Sequence, residues 1–374
     1  GPMGYRTRLS RREFLQTISG AAAAAAASQA CRALGLPNDA STPSPTTPLE
    51  VSPMPTRSPS ASPTTQPAPT PAESLGRVAL VNTDDRAQGV RRALDLLGVN
   101  PTQGKRVLLK PNCNTADPAP ASTHPDVLRA LAEWLWDSGA ASITVGDRSG
   151  MGDTRQVMER IGILNLAAEF GLETLVFDEL GADGWVLQQP PDTHWTRGFA
   201  LARPALEAEA VVLACCLKTH RYGGHFTLSL KNAVGLVAKT IPGDGYDYMH
   251  ELHNSSDQRA MIAEVNAAYT PTLAVIDGVE AFVGGGPEAG TRVRAQVVLA
   301  GSDRVALDAV GVALLRYFGT TAEVSAGAVF QQEQIARAVE LGLGVTSPDA
   351  IQFLTDDVES DAYADLLRPI LSAS

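Results

Sequence analysis

The sequence predicts an α/β fold in which helices cover both faces of a mostly parallel sheet, preceded by a disordered leader. From about residue 77 onward, short apolar segments alternate with amphipathic ones. Short apolar strands separated by helices are typical of parallel sheets that are buried on both faces. The remaining length, residues 77–374, suits one large domain of this class or two small ones.

The elements follow one another in a regular order. Strands are predicted where apolar residues stand together, over 77–81, 106–109, 142–145, 174–177, 210–217, 272–276 and 296–299. Helices are predicted where apolar residues recur at helical spacing, over 87–97, 125–138, 153–170, 257–268, 304–317, 331–341 and 361–371. Pro125 suits the first turn of its helix, and Ser302 or Asp303 suits the cap of the helix over 304–317.

The N-terminal residues have the pattern of an export signal. Residues 1–2 precede Met3 and resemble a protease-cleavage scar. The segment Ser10–Gln16, SRREFLQ, resembles the twin-arginine export consensus, and the alanine-rich run over 18–27 is too short to span a bilayer. We therefore expect a signal region over residues 1–31 and an extracytoplasmic protein. The alternative is a basic, alanine-rich helix of the mature chain.

A lipid anchor and a tether are expected after the signal. Small residues at 28–30 suit signal-peptidase cleavage, and Cys31 directly after them suits acylation. Residues 37–71 carry 11 of the 25 prolines, mixed with Ser, Thr and Ala. Such a composition cannot bury a core and stays extended. We expect residues 32–76 to be a disordered tether and Cys31 to attach the chain to a membrane; an unanchored leader is the alternative.

Charge and cysteine usage exclude several classes of protein. The chain has a net charge of −11. The first 76 residues carry six arginines and four acidic residues, so the rest has a net charge of −13. Such acidity disfavours nucleic-acid binding, which requires clustered positive charge. None of the four cysteines forms a Cys-x-x-Cys pair, so we expect no iron–sulfur cluster.

Lysine is scarce in this chain and marks candidate catalytic positions. There are 25 arginines and only five lysines, so arginine supplies most of the positive charge. Lysine, unlike arginine, is a compact charge that loses its proton readily when buried. Three of the lysines lie in polar segments near strand ends: Lys110, Lys218 and Lys231. We predict that these three positions require lysine and that arginine would not replace it. Chance placement is the alternative.

Polar residues after the predicted strands should meet at one edge of the sheet, because parallel strands end at the same edge. Four of the six histidines lie within residues 220–253. Imidazoles together with nearby carboxylates can ligate a divalent transition metal. The predicted metal ligands are His124, Asp147, His220 and Asp277. The alternative is a loop of solvated histidines.

Eight short motifs occur in order along residues 77–345. They are Lys110-Pro111-Asn112, Thr123-His124-Pro125, Asp147-Arg148-Ser149, Lys218-Thr219-His220, Ser229-Leu230-Lys231-Asn232 with Gly235, Asp277-Gly278, Gly286-Pro287 with Gly290, and Ser302-Asp303 with Ala306 and Asp308. Together they resemble the bacterial and archaeal family called domain of unknown function 362. Many members carry ferredoxin-type cysteine motifs that are absent here, so their iron–sulfur chemistry is not implied. The resemblance implies a fold and no particular reaction.

Our leading hypothesis is an exported enzyme that uses a metal or small cofactor on an anionic small molecule. The predicted catalytic residues are Lys110, Lys218, His220 and Lys231, and the predicted ligand-binding residues are Asn112, Asn232, Gly286 and Asp303. The lysines would bind a carboxylate or phosphate or serve as acid or base. The first alternative is a non-catalytic surface lipoprotein that binds an anionic solute, and the second is a structural surface protein.

Overall fold

A computed structural model of the chain describes residues 75–373. The predicted signal region over 1–31, Cys31 and all but the last two residues of the predicted tether lie outside the described residues. None of the helices within residues 75–373 has the length and apolar character needed to cross a lipid bilayer.

Within the described residues the chain forms twelve strands. They are β1 (Gly76–Asn82), β2 (Arg106–Lys110), β3 (Ser142–Asp147), β4 (Glu173–Val176), β5 (Trp185–Gln188), β6 (Phe199–Ala202), β7 (Ala210–His220), β8 (His225–Thr227), β9 (Leu273–Gly285), β10 (Gly290–Val293), β11 (Val297–Gly301) and β12 (Ile351–Leu354).

The α-helices lie mainly between these strands. They span Arg86–Leu97, Pro125–Asp137, Thr154–Arg160, Ile163–Phe170, Arg203–Glu207, Ser229–Asn232, Tyr248–Asn254, Gln258–Val265, Arg304–Tyr317, Ala322–Ser325, Glu333–Glu340 and Val358–Ser372. Single 3-10 turns lie at Phe177–Glu179, Ala182–Gly184, Ala233–Leu236, Val329–Gln331 and Pro348–Ala350.

Ten strands form one sheet, whose main order is β12-β1-β11-β9-β7-β2-β3-β4. Along this order only β11 runs antiparallel to its neighbours, β1 and β9; the other neighbouring pairs are parallel. Two short strands extend the sheet at one end, β8 antiparallel to β7 and β10 antiparallel to β9. Strands β5 and β6 pair separately. The predicted mostly parallel α/β sheet is therefore confirmed.

Two apolar layers bury the sheet, one on each face. Alternate residues of β1 enter different layers: Val78 and Leu80 pack on one side, and Ala79 and Val81 on the other. This alternation follows from the two-residue repeat of a strand. The helix Arg304–Tyr317 covers the first face, and the helices Arg86–Leu97 and Pro125–Asp137 contribute to the second. The prediction of helices on both faces is confirmed.

The structure differs from the predicted elements in several places, among them Gly162, the end of β9 and strand β12. The helix predicted over 153–170 is divided at Gly162, which has a left-handed backbone with a φ of 84°. Strand β9 continues past Asp277 to Gly285, so Asp277 lies within a strand and not at its end. Strand β12 was not predicted, although it pairs with β1 at the sheet edge.

Candidate functional site

A cavity of about 500 Å³ opens at the carboxyl ends of three adjacent parallel strands. Lys110 is the last residue of β2, Asp147 the last of β3 and His220 the last of β7. Because these strands are neighbours in the sheet, their terminal side chains converge. Seven of the predicted site residues line the cavity: Lys110, Asn112, Asp147, Lys218, His220, Lys231 and Asn232.

Lys110 and Asp147 form a buried ion pair in the cavity wall. Their charged atoms, Nζ and Oδ1, lie 2.8 Å apart, and both side chains are almost completely buried. The other carboxylate oxygen accepts a hydrogen bond from the backbone N–H of Cys113 at 2.7 Å. Lys110 also donates to Asn232 Oδ1 at 3.0 Å. Since every polar atom of the pair has a partner, the pair is a fixed part of the wall.

Gly235 allows the backbone to pass directly over this ion pair. A Cβ at Gly235 would overlap Asp147 Oδ1 and would lie 2.7 Å from Lys110 Nζ. The position therefore requires glycine, because a side chain would push the two charged groups apart.

Lys218 is fully buried and bonds only to neutral groups. Its ammonium donates to Asn112 Oδ1 at 2.9 Å and to the carbonyl oxygen of Ala121. Asn112 in turn donates from Nδ2 to Asn232 Oδ1 at 3.3 Å. Burial lowers the pKa of Lys218. Two asparagines thus orient the lysines without neutralising their charge.

Arg148 is a second buried cation that bonds to no carboxylate at hydrogen-bond distance. Its guanidinium donates to the backbone carbonyls of Val237 at 2.7 Å, Val234 at 2.6 Å and Ser149 at 3.1 Å. Burial lowers the pKa of this guanidinium. Arg148 lines the cavity but was not predicted as a site residue, although it stands in the Asp147-Arg148-Ser149 motif.

Lys231 lies on the short helix Ser229–Asn232 and is the least restrained of the three cavity lysines. Its ammonium makes no hydrogen bond or ion pair with any residue of the described part of the chain, although only 9% of the residue is exposed. Burial, together with the positive charges of Lys218 and Arg148, lowers the pKa of Lys231 to about 7. An ammonium in this position requires a partner that the described residues do not supply.

His220 brings a buried imidazole to the same cavity. Its Nδ1 is buried and has no hydrogen-bond partner, and its ring packs edge-on against Tyr222 with centroids 5.8 Å apart. Burial, helped by the charges of Lys231 and Lys218, holds the pKa of His220 well below its usual value. Thr227 Oγ1 and Asn114 Nδ2 are also buried in the lining without partners. Such atoms are available to hydrogen-bond a ligand.

The four predicted metal ligands do not come together. Asp147 and His220 line the cavity, whereas His124 and Asp277 do not. His124 caps the helix Pro125–Asp137, and Asp277 accepts from Arg86 at 2.8 Å and from the N–H of Val279 at 3.0 Å. Within residues 75–373 there is no group of three or more His, Cys, Asp or Glu side chains placed to hold a metal ion.

Two predicted ligand-binding residues, Asp303 and Gly286, do not line the cavity. Asp303 caps the helix Arg304–Tyr317, accepting from the N–H of Ala306 and of Val345 at 2.9 Å each. Its carboxylate is satisfied there and does not line the cavity, and its ligand role stays a prediction. Gly286 has a left-handed φ of 66° and passes so close to the carbonyl of Thr219 that a Cβ would overlap it. It is the next residue, Pro287, that lines the cavity.

These features define an α/β protein with a buried, positively charged cavity at the strand ends. The family described as "Domain of unknown function (DUF362)" matches residues 107–313, which is more than half of the chain. The chain belongs to this family, as its motifs predicted.

Two individual proteins are similar to parts of the chain. A thylakoid-associated protein of Synechocystis sp. is 29% identical over 211 residues, which are 55% of this chain and 62% of that protein. The chain thus spans less than two thirds of that relative. The lactate racemase apoprotein from Thermoanaerobacterium thermosaccharolyticum matches with a TM-score of 0.35 and 15% identity, over 56% of this chain and 51% of that chain. This TM-score is too low to imply a shared fold or function.

Proposed function

We propose that the protein is an enzyme that binds an anionic small molecule in the cationic cavity. One observation carries the proposal: three buried cations, Lys218, Lys231 and Arg148, face the cavity without a carboxylate within ion-pair distance among residues 75–373. The single carboxylate in the lining, Asp147, is already paired with Lys110.

Buried charge is costly unless it is paired, and folded proteins therefore pair it. A carboxylate or phosphate in the cavity would offset the free-energy cost of burying the unpaired charges of Lys218, Lys231 and Arg148. A cavity of about 500 Å³ accommodates a small metabolite. The unpartnered atoms of Thr227 and Asn114 would add hydrogen bonds that orient it.

An enzyme is favoured over a simple binding protein by two groups suited to proton transfer. Lys231, with a pKa of about 7, exchanges a proton readily at neutral pH. His220 is neutral in its buried site and keeps one ring nitrogen without a partner. A purely structural anion site would not need either property. Asp147 and His220 are the two predicted metal ligands that reach the cavity, and a metal or small cofactor there stays a prediction.

Isothermal titration calorimetry with malonate, pyruvate and inorganic phosphate tests the binding step. We expect at least one of these anions to bind wild-type protein and Lys231→Met to weaken that binding by about tenfold or more. Lys105→Met is the matched control, because Lys105 does not line the cavity and its side chain makes no hydrogen bond within the described residues. Equal affinity in both variants, or no binding of any anion, would contradict the proposal.

Turnover separates the enzyme from a binding lipoprotein. If the protein is an enzyme, nuclear magnetic resonance should show the anion exchanging a carbon-bound proton with solvent or being converted to another compound. A surface lipoprotein would return the anion unchanged. The tether composition over 32–76 is what favours that alternative.

We also propose that the protein acts outside the cytoplasm, attached to a membrane through Cys31. The SRREFLQ segment, the small residues before Cys31 and the proline-rich tether support this location. The similarity to a thylakoid-associated protein is in keeping with it. Replacing Arg11 and Arg12 by Lys should retain the chain in the cytoplasm, and Cys31→Ser should release it from the membrane fraction. Unchanged fractionation of both variants would contradict the location.

A further inference from the structure

The amine of Lys231 differs from those of the other two cavity lysines. Lys110 bonds to a carboxylate, an amide oxygen and a carbonyl oxygen, and Lys218 bonds to an amide oxygen and a carbonyl oxygen. Lys231 Nζ has no such partner among residues 75–373, and its side chain points into the cavity. It is therefore the lysine whose nitrogen is free to react.

Resting on the proposed function, we propose that Lys231 forms an imine with its ligand. The ligand class is then an aldehyde or ketone that also carries a carboxylate or phosphate. The carbonyl carbon would meet Lys231, while the anionic group would lie against the remaining unpaired cations, Lys218 and Arg148.

The surroundings of Lys231 keep a fraction of its amine neutral. The titratable and charged groups that influence it from neighbouring elements are Lys218, Arg148, His220 and His253. The two histidines have pKa values lowered by burial, and no carboxylate lies within ion-pair distance of Lys231 in the described residues. With a pKa of about 7, roughly half of the Lys231 amine carries its nucleophilic lone pair at neutral pH.

His220 lies beside Lys231 and suits the proton transfers of imine formation. A Cβ at Gly224 would lie 2.7 Å from Lys231 Cε and 2.9 Å from His220 Nδ1, so both groups border the same glycine. Because His220 Nδ1 has no other partner, it is free to hydrogen-bond the amine or the hydroxyl group of the intermediate. The missing side chain at Gly224 leaves the two groups adjacent.

The reaction needs no oxidant or reductant. The Nζ lone pair attacks the carbonyl carbon, the carbonyl π electrons move to oxygen, and one amine proton passes to that oxygen. The carbinolamine then breaks its C–O bond as the C=N bond forms. The second amine proton leaves with the hydroxyl group as water. One amine and one carbonyl compound thus give one imine and one water.

Reductive trapping on the full-length protein tests the proposal. Protein at about pH 7 is incubated separately with pyruvate, glyoxylate and glyceraldehyde 3-phosphate in the presence of sodium cyanoborohydride, and the modified lysine is located by mass spectrometry. Only five lysines occur, so every site can be followed. We expect an adduct on Lys231 at about tenfold or more over Lys105 with at least one compound. Acetone, which lacks the anionic group of pyruvate, should not label Lys231.

Variants separate this inference from the proposed function. Lys231→Arg removes the reactive amine and should lose the adduct, whereas Lys105→Arg should keep it. Anion binding by wild-type protein with no preferential adduct on Lys231 for any of the three compounds overturns the imine and leaves the anion site. Failure to bind any anion overturns both. The mapping on wild-type protein does not depend on whether a variant folds.

Discussion

The carboxylate of Asp308 accepts a hydrogen bond from the backbone N–H of Ser229 at 2.8 Å, and the hydroxyl of Ser229 donates to the same oxygen. The other oxygen of Asp308 accepts from the N–H of Leu230 at 3.1 Å. These bonds hold the first turn of the helix Ser229–Asn232 against the long helix Arg304–Tyr317. Since Lys231 stands on that short helix, Asp308 positions the cavity lysine from outside the cavity.

Replacement of Asp308 by Ala should therefore affect stability and binding together. The substitution leaves the buried N–H groups of Ser229 and Leu230 without an acceptor, which costs about 1–3 kcal/mol for each buried group. We expect a lower free energy of unfolding in urea and weaker anion binding by calorimetry. Binding at wild-type affinity in the destabilised variant would show that Asp308 does not position Lys231.

Asp308→Asn should alter the dependence of stability on pH. Burial raises the pKa of Asp308 from 3.8 to about 7, so between these values the folded chain holds a proton that the unfolded chain has lost. This carboxyl therefore lowers the free energy of unfolding as pH rises from about 4 to about 7. Because Asn does not titrate, the substitution should cost more at about pH 5 than at about pH 8. An equal cost at both values, measured by urea unfolding, would contradict the raised pKa.

Asp147→Asn should move stability and binding in opposite directions. Removing one partner of a buried ion pair leaves Lys110 uncompensated and costs about 3–5 kcal/mol. The same change removes the only carboxylate that residues 75–373 contribute to the cavity lining and makes the cavity more positive. We expect a lower melting temperature but anion affinity equal to or higher than that of wild type. Loss of binding in folded protein would show that Asp147 contacts the ligand directly.

Gly235→Ala should disrupt the Lys110–Asp147 pair by steric overlap. The added methyl group would overlap Asp147 Oδ1 and press on Lys110 Nζ, and overpacking of this kind costs about 1–3 kcal/mol. Gly284→Ala is the matched control, because its Cβ would meet nothing nearer than Thr291 Oγ1 at 3.4 Å. Equal melting temperatures for the two variants would mean that the backbone at Gly235 shifts freely.

The part of the site that follows from strand direction could be predicted from sequence. Lys110, Asp147 and His220 end adjacent parallel strands, and an apolar run followed by a polar residue is visible in the sequence alone. The same reasoning failed for Asp277, because β9 continues beyond it into a pairing with β10. The end of β9 is set by its pairing with β10 and not by the composition around Asp277.

Other site features depend on contacts between distant segments. Arg148 is positioned by the carbonyls of Val234 and Val237, and Asp308 by the amides of Ser229 and Leu230. Both residues stand in the family motifs, but their roles depend on these distant contacts and not on the local sequence. A helix cap and a ligand-binding carboxylate look alike in sequence, and both roles were predicted for Asp303; the structure shows the cap. Its side chain turns to the amides of its own helix and of Val345.

Lys231→Met should stabilise the protein while weakening its ligand affinity. Burial lowers the pKa of Lys231 from 10.5 to about 7, so between these values the unfolded chain holds one more proton than the folded chain. The free energy of unfolding of wild type should therefore rise with pH from about 7 to about 10.5. Methionine fills similar space without a charge. We expect a gain of about 1–4 kcal/mol at about pH 7, since a buried charge is replaced by a hydrophobic group.

The stability gain from Lys231→Met should shrink toward high pH, because the wild-type amine is then neutral in both states. Urea unfolding at about pH 7 and about pH 10, in buffers free of carboxylate and phosphate, measures this difference. Lys105→Met controls for the loss of one positive charge from the chain. An equal gain at both pH values would mean that Lys231 is not a buried cation at neutral pH. Adding an anion that binds at about pH 7 should stabilise wild type more than Lys231→Met, since the variant lacks one of the three charges that the anion would pair.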